Sequence, residues 1–590
     1  MAKKILQGIP ASVGIAIGKA YILTRDHDCI APMQSISEEL VDAELKRLKD
    51  AIDMTIANLK SLKSKIPAEH TEYSSIIDTH IMVLEDAKFY ETIARYIKNM
   101  KLNAEWAIEK GIGDIERSFR DIEDEFFKTR ISEIKFLGRK ILNNLIGVDQ
   151  EIKPILSRVI LVAHELTPAD TVEIDVSKIM AFVTSQGGKT SHVSIVARTL
   201  GIPAVVGIED IDEIISDDQL VIVDGFTGTI IIEPDENEIV DYIEKQEKFE
   251  KYKRELYQER RVPAYTKDKC HIKVMANIEF FEEVTSVLEY NSDGIGLYRT
   301  EYSYLYKPHL PTEDELYEEY RDLLTIMSPR PVVIRTLDAG GDKIGKGFEK
   351  IEEANPAMGL RAIRFCLRNK DIFKTQIRAI LRAAVSGNCF LLLPMISGLE
   401  ELLEAKKVIE CAKEELQREG KQFNYDLPIG IMIEVPSAVC VADALAKEVS
   451  FFSIGSNDLI QYSLGIDRTN KYVAHLFQPL HPAIIRGIKH TVDVAKQAGI
   501  QVTMCGEMAG DPFCVPILIG MGITTLSLSP NAAPGIKRMV RMLSYKECKE
   551  LVDNVLKGKS VIENNRIVRQ KIYDKIPEEL QFYTSFFEKQ

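Results

Sequence analysis

The stretch GGKTSHVSIVARTLGIPAVVG, residues 187–207, places a turn, a helix and a strand in immediate succession. A Gly-Gly turn comes first, and Thr190 or Ser191 is the candidate N-cap of the helix that follows. The apolar helical pattern ends at Gly201, and the β-branched run PAVV comes next. We therefore predict that His192 lies in the first turn of a helix within an α/β domain.

The same stretch has the end of a phosphate-binding P-loop, G-K-[ST], but the full motif is absent. If Gly188 is the second glycine of G-x-x-x-x-G-K-[ST], the first glycine must stand at position 183, but that residue is Val183. A helix start could instead stabilise a phosphate carried by the His192 imidazole, which is a nucleophile near neutral pH. The alternative is a silent, partly buried histidine, and the residues alone leave both open.

The composition is that of a multidomain globular chain. Its 590 residues are 45% hydrophobic and 28% charged, which predicts about three domains. The net charge of -14 argues against nucleic-acid binding, and an anionic substrate would need a locally basic pocket. Nine cysteines without a CxxC pair indicate neither a disulfide framework nor a zinc ribbon. No apolar run reaches the ~18 residues of a membrane span, so we expect a cytoplasmic protein.

Two kinds of pattern alternate before the C-terminal half. Residues 1–24 and 147–235 carry short β-branched runs separated by turn signals, which predicts a small α/β domain. Residues 25–146 carry apolar side chains at helical spacing, which predicts a helical bundle inserted into that domain. Residues 236–262 are rich in Glu, Lys, Arg and Tyr and are predicted to form a linker helix.

Apolar runs alternate with helical patterns over residues 263–590. Strands are predicted at residues 271–278, 293–301, 331–341, 389–396, 429–437, 451–458, 500–508 and 523–530. Eight strands alternating with helices over this length predict a C-terminal (β/α)8 barrel of the TIM type. A doubly wound open sheet is the alternative, although the strand count favours the barrel.

Reactive side chains lie at or beyond the ends of the predicted strands. They are Arg299, Glu301, Arg335, Asp338, Met395, Glu434, Asn457, Asp458, Cys505 and Glu507. Active sites of such barrels form at the carboxyl ends of the strands, so we expect these residues to share one rim.

Ordered motifs along nearly the whole chain resemble those of the PEP-utilising enzymes. They include GIPASVGIAIGKA (8–20), LTPADT (166–171), the stretch 187–207, GLYRTE (296–301), RTLDAGGDK (335–343), NPAMGLRAIR (355–364), IEVPSA (433–438), GSNDLIQYSLGIDRTN (455–470) and CGEMAGD (505–511). The resemblance implies a multidomain α and α/β protein, in which a small swivelling phosphohistidine domain with its inserted bundle precedes the barrel.

The resemblance also implies a reaction. His192 would take the phosphoryl group of phosphoenolpyruvate and pass it to the histidine-containing phosphocarrier protein HPr, docked on the bundle, as the first step of a sugar phosphotransferase system. Arg299, Arg335 and Arg468 match the family's substrate arginines, and guanidinium groups suit phosphate and carboxylate. Because the histidine and the barrel lie in separate domains, a hinge motion around residues 230–265 is expected.

Further roles follow from the same resemblance. Glu434 and Asp458 match the family's Mg²⁺ ligands, and Asn457 matches its amide contact to the substrate. For Glu434 the alternative is a structural N-cap before Pro436. Cys505 would protonate the enolate of pyruvate, so its pKa should not be strongly depressed. The family also implies a homodimer formed through the barrel.

The chain departs from the family pattern at Ser456, at Glu279-Phe280 and at His164-Glu165, and none of these is expected to touch an assigned residue. One alternative function is another PEP-utilising phosphotransferase of the pyruvate phosphate dikinase type, for whose ATP-binding domain the sequence leaves little room. Another is a catalytically idle regulatory scaffold, which predicts the loss of some site residues. No sensor domain is expected before the first motif, which favours the sugar-related branch.

Overall fold

The computed structural model describes residues 4–23, 34–65, 80–119, 125–146, 157–166, 170, 174–188, 191–305, 309–340, 353, 355–468, 470 and 472–573. The chain divides into two compact units, residues 1–250 and residues 251–590.

The first unit contains a mixed eight-stranded sheet. Its strands are β1 (Lys4–Gln7), β2 (Ile9–Ser12), β3 (Ile15–Ile22), β4 (Val159–Ala163), β5 (Ile179–Thr184), β6 (Ala204–Val206), β7 (Leu220–Asp224) and β8 (Thr229–Ile232). Their order is β1-β8-β7-β3-β4-β5-β6-β2, with β3 to β6 mutually parallel where they pair. Successive residues of β4 belong to two different apolar clusters, Ile160 to one and Leu161 to the other. Both faces of the sheet are therefore buried at β4, as is usual for a strand with parallel neighbours.

The helices of the first unit fall into two groups. One group lies between β3 and β4 in the sequence and shares a core of its own; it includes α1 (Val41–Lys65), α2 (Ala87–Met100), α3 (Ala104–Phe119) and α4 (Glu125–Ile146). The other group includes α5 (His192–Leu200), α6 (Ile211–Ile214) and α7 (Glu236–Glu259), the last of which contains the boundary between the two units. The predicted helical patterns are confirmed, whereas the four-part domain division stays a prediction.

Helix α5 has the two ends that its sequence predicts. Ser191 is the N-cap residue, in extended conformation, and His192 is the first helical residue. Gly201 ends the helix in the left-handed conformation, with φ of 66°. The Ser194 hydroxyl donates to the Gly188 carbonyl at 2.7 Å, which ties the preceding turn to the helix. Thr190, the other candidate N-cap, lies outside the described residues.

The second unit contains a closed parallel barrel. Its strands are β9 (Lys273–Ile278), β10 (Ile295–Tyr298), β11 (Val332–Arg335), β12 (Cys389–Leu393), β13 (Ile429–Ile433), β14 (Phe451–Ile454), β15 (Gln501–Met504) and β16 (Thr525–Leu528). Each strand pairs in parallel with the next, and β16 pairs with β9 to close the ring. The eight predicted strands and the barrel are confirmed, and the open sheet is wrong.

Helices surround this barrel. They are α8 (Val284–Glu289), α9 (Tyr302–Leu305), α10 (Glu313–Met327), α11 (Ile363–Arg368), α12 (Lys370–Ala383), α13 (Leu399–Arg418), α14 (Pro436–Cys440), α15 (Ala442–Leu445), α16 (Ser456–Leu464), α17 (Pro482–Ala498), α18 (Val515–Met521), α19 (Ala533–Met542), α20 (Tyr545–Val555) and α21 (Val561–Tyr573). Val333 belongs to a small cluster with Cys505, while its neighbours Val332 and Ile334 belong to the large outer cluster. The strands thus alternate between the barrel interior and the helix layer.

The described ranges contain neither a membrane-spanning helix nor a disulfide. None of the helices there combines the length and the apolar character that crossing a bilayer requires. The eight cysteines in the same ranges are all free thiols.

A buried lysine in the second unit donates hydrogen bonds to backbone carbonyls just beyond the C-terminal ends of α7 and α8. Lys537 on α19 is 2% exposed, and its ammonium donates to the carbonyls of Arg260 at 3.1 Å, Tyr290 at 3.4 Å and Asn291. Arg260 directly follows α7, and Tyr290 directly follows α8. These carbonyls have no partner within their own helices, so the ammonium satisfies them.

We expect Lys537→Met to lower the free energy of unfolding by about 2–4 kcal/mol, because it leaves buried carbonyls without a donor. The measurement is urea denaturation followed by circular dichroism. Lys549→Met, at an exposed position on α20, is the control and should change the stability by less than about 0.5 kcal/mol. Equal effects of the two substitutions would contradict this assignment.

Candidate active site

Arg335 ends strand β11 and is buried at the rim of the barrel. Its guanidinium contacts the carboxylates of Glu301 and Asp338, each at 2.9 Å. Burial alone would lower the pKa of Arg335, but the carboxylates raise it, so the cation is firmly held. Its Nε is buried and has no hydrogen-bond partner among the described residues. An unpaired buried donor at a barrel rim is a group that a ligand can satisfy.

Asp338 is shared between Arg335 and a second arginine, Arg361. The Arg361 guanidinium donates to Asp338 at 2.8 Å, to Asp458 at 3.2 Å and to the Tyr462 hydroxyl at 3.1 Å. Burial would raise the pKa of Asp338, but Arg335 and Arg361 outweigh it and hold that pKa below its ordinary value. Asp338 therefore remains a carboxylate inside the site.

Arg361 is a site residue that the sequence analysis did not assign. It does not follow a strand but lies in the segment before α11. An isolated antiparallel β-bridge pairs Arg361 with Gly340, which lies beyond the end of β11. The next residue, Ala362, has a backbone φ of 54°, a value that residues other than glycine rarely adopt. Such strained backbone is concentrated at functional sites. Its position within the motif NPAMGLRAIR was the feature of the sequence that could have identified it as a site residue.

Glu434 directly follows β13 and is 2% exposed. One of its carboxylate oxygens accepts the backbone N–H of Met395 at 2.6 Å, and Met395 itself has a positive φ of 55°. Burial, followed by the nearby charges of Asp458 and Asp338, raises the pKa of Glu434 to about 8. The N-cap of α14 is Val435, so the alternative role of Glu434 as that cap is wrong.

Asn457, Asp458 and Arg468 lie at the start of α16 and just beyond its end. The amide group of Asn457 donates to the Glu507 carboxylate at 3.2 Å and accepts the Glu507 backbone N–H at 3.0 Å. Arg468 is 3.8 Å from the same carboxylate. Glu507, in the loop after β15, thereby connects two of the predicted substrate-binding residues.

Cys505 directly follows β15 and is buried in the cluster that fills the barrel interior. Its thiol donates to the Ile454 carbonyl, 3.4 Å from the sulfur. Burial raises the pKa of Cys505 to about 11, although Ser453, Arg335 and Arg299 partly oppose the shift. The prediction that this thiol lacks a depressed pKa is confirmed.

Arg299 follows β10, and its guanidinium donates to the carboxylate of Glu279, which follows the neighbouring strand β9. The Nε of Arg299, like that of Arg335, is buried without a partner in the described residues. The expectation that no departure from the family pattern touches an assigned residue is therefore wrong for Glu279. The two strands are neighbours in the barrel, so the residues that follow them meet at the rim.

The structure thus brings together most of the predicted site. Electrostatic or hydrogen-bonded contacts connect Arg299, Arg335, Glu434, Asp458 and Cys505 at one rim, and Asn457 and Arg468 meet through Glu507. His192 begins α5 in the first unit, and its side chain lies outside what the structure describes.

The carboxylates at this rim suit a hard cation. No group of three or more His, Cys, Asp and Glu side chains in the described ranges is arranged to hold a metal ion. Glu434 and Asp458 are instead a pair whose mutual repulsion contributes to the raised pKa of Glu434. Mg²⁺ is commonly held by one or two carboxylates together with water and substrate phosphate, and it would relieve this repulsion. The two residues therefore fit such an ion.

Three family models match the chain. They describe the N-terminal domain (residues 7–130), the mobile domain (residues 155–228) and the PEP-binding domain (residues 253–545) of PEP-utilising enzymes. Two proteins named phosphoenolpyruvate-protein phosphotransferase are similar over nearly the full length. The one from Priestia megaterium is 38% identical, covering 97% of this chain and 99% of its own. The one from Staphylococcus epidermidis is 36% identical, covering 96% and 99% respectively.

Because burial keeps the Cys505 thiol protonated, we expect its alkylation by iodoacetamide to be slow at neutral pH and to rise about tenfold per pH unit up to a pH of about 11. The measurement is the rate of modification at each pH, read by peptide mass mapping. Cys505→Ser identifies the signal. A rate that is already independent of pH near neutrality would contradict the raised pKa.

Proposed function

Because the chain belongs to the family of PEP-utilising enzymes, we propose that it transfers the phosphoryl group of phosphoenolpyruvate to its own His192 and then to an acceptor protein, releasing pyruvate. The observation that carries the proposal is the meeting of Arg299, Arg335, Glu434 and Cys505 at one barrel rim. Cations, a metal-binding carboxylate and a protonated thiol are the groups that this reaction needs.

The arginines bind the substrate. Phosphoenolpyruvate carries a phosphate and a carboxylate, and planar guanidinium groups bind both kinds of anion with paired hydrogen bonds. Arg299 and Arg335 each have a buried Nε that a substrate oxygen would satisfy. Arg468 is more exposed and supplies a further cation, and Asn457 supplies an amide donor beside it.

We propose Mg²⁺ as the cofactor, held by Glu434 and Asp458. When bound, the ion would offset negative charge on the phosphate oxygens. Asp458 is also paired with Arg361, and Glu434 is fixed by the Met395 N–H, so both carboxylates are positioned by the protein itself.

His192 and Cys505 carry out the two chemical steps, which are phosphoryl transfer and protonation of the enolate. A ring nitrogen of His192 attacks the phosphorus atom, the bond from phosphorus to the enol oxygen breaks, and the electron pair remains on the enolate. This step requires the imidazole to reach the barrel rim. The Cys505 S–H then donates its proton to C3 of the enolate, which completes pyruvate. A thiol with a pKa of about 11 holds that proton until the enolate forms.

We further propose that the acceptor is the phosphocarrier protein HPr, docked on the bundle of α1 to α4, in the first step of a sugar phosphotransferase system. The names of the relatives specify a protein as phosphoryl acceptor, which supports this proposal. A homodimer formed through the barrel and a cytoplasmic location complete it, and both rest on the family relationship. A dikinase-type activity and an idle scaffold are the alternatives, and formation of the phosphohistidine separates the scaffold from the proposal.

The first test is the covalent intermediate. Incubation with phosphoenolpyruvate and Mg²⁺ should add one acid-labile phosphate to the intact protein and release an equal amount of pyruvate. His192→Ala should abolish both, whereas His490→Ala, at an exposed position on α17, should leave both unchanged. Absence of phosphate in the unmodified protein would favour the idle scaffold, and persistence in His192→Ala would mean that another residue is the nucleophile.

The second test addresses the carboxylates. Glu434→Gln and Asp458→Asn should each slow the formation of phosphohistidine by about a hundredfold or more, because each removes a metal ligand. They should also weaken Mn²⁺ binding, measured by electron paramagnetic resonance in the presence of phosphoenolpyruvate. Asp443→Asn, at an exposed position on α15, is the control for loss of one negative charge. Unchanged Mn²⁺ binding in both variants would contradict the assignment.

A further inference from the structure

Glu279 forms an ion pair with Arg299, and the proposed function gives Glu279 no role. The Glu279 carboxylate accepts a hydrogen bond from the Arg299 guanidinium, the group that the proposed function gives to the substrate. A substrate anion that binds Arg299 through the same guanidinium nitrogen must first displace this carboxylate. The contact therefore bears on how strongly the site holds its substrate.

The turn after β9 is built to present Glu279. The carboxylate of Glu283 accepts the backbone N–H of Glu279 at 2.7 Å and that of Phe280 at 3.1 Å. The Phe280 ring packs edge-to-face against Tyr302, with 4.7 Å between the ring centroids. Both residues of the turn are thus fixed, and the Glu279 side chain starts from a defined position beside Arg299.

Glu279 differs from the two carboxylates that hold Arg335 at this rim. The side chains of Glu301 and Asp338, which hold Arg335, are 17% and 4% exposed, whereas that of Glu279 is 50% exposed. A buried carboxylate cannot leave its partner without a large desolvation cost, but an exposed one can turn into water. The Glu279 pair is therefore one that an arriving anion can open.

We propose that Glu279 competes with phosphoenolpyruvate for Arg299 and thereby weakens the affinity of the site for its substrate. Glu279 acts through Arg299 and is thus a positioning residue that holds the guanidinium until the substrate replaces it. The inference rests on the proposed function, because it takes phosphoenolpyruvate as the anion. An exposed ion pair is weak, so we expect removal of the competing charge to tighten binding by about two- to fivefold.

The test compares Glu279→Gln with Glu282→Gln. The glutamine at position 279 keeps the size of the side chain and removes its charge, and Glu282 is an exposed residue of the same turn. Phosphoenolpyruvate binding is measured by calorimetry with Mg²⁺ in a His192→Ala background, where no phosphoryl transfer follows. The dissociation constant should fall about two- to fivefold for Glu279→Gln and stay unchanged for Glu282→Gln.

Kinetics and a double mutant separate competition from a structural effect. In the chain with His192 intact, Glu279→Gln should lower KM for phosphoenolpyruvate and leave kcat unchanged. In an Arg299→Met background the same substitution should have no effect on binding, because the group being competed for is absent.

Several outcomes would overturn the inference. Weaker binding by Glu279→Gln would mean that the carboxylate orients Arg299 for the substrate. An equal gain from Glu282→Gln would mean a general charge effect, and an unchanged dissociation constant would mean no competition. If the chain with native Glu279 binds no phosphoenolpyruvate and forms no phosphohistidine, the proposed function fails and the inference fails with it.

Discussion

The Asp338 carboxylate lies between the guanidinium groups of Arg335 and Arg361, and the arrangement of charges at the barrel rim depends on it. A buried cation beside a largely buried one would be very costly without a shared anion. Asp338 is itself held in place, since its backbone N–H donates to Glu301, the other partner of Arg335. Through Arg361 the same network reaches Asp458 at the start of α16. One carboxylate thus fixes side chains from three parts of the chain.

The charges at this rim fit both an anion and a cation. Arg299, Arg335, Arg361 and Arg468 at the rim are each paired with at least one carboxylate of the chain. Glu434, by contrast, is buried near Asp458 and Asp338, and its pKa is raised by burial first and then by these two charges. The site therefore combines cationic groups for substrate oxygens with a locally anionic corner. A substrate whose phosphate is accompanied by a divalent ion matches both features.

The sequence predicted the barrel and most of its rim because both depend on one periodic pattern. Each apolar run gives a strand, and the polar residues that follow it must lie at one edge once the ring closes. Arg361 was missed because a strained, irregular segment carries it to the rim, and no periodicity describes such a segment. The Glu279 contact was missed for another reason. Strand order placed Glu279 and Arg299 next to each other, but a strand pattern does not say which way a side chain turns.

Burial of Cys505 also bears on how this protein withstands oxidants. Peroxides attack the thiolate of cysteine, and a thiol with a pKa of about 11 supplies almost none of it at cellular pH. Enzymes that use a cysteine as nucleophile need the opposite environment and are easily inactivated by oxidation. In the role proposed for Cys505, the burial that keeps the thiol protonated would also protect it from oxidation. Oxidative stress should therefore reach the exposed thiols of Cys411 and Cys440 before it reaches Cys505.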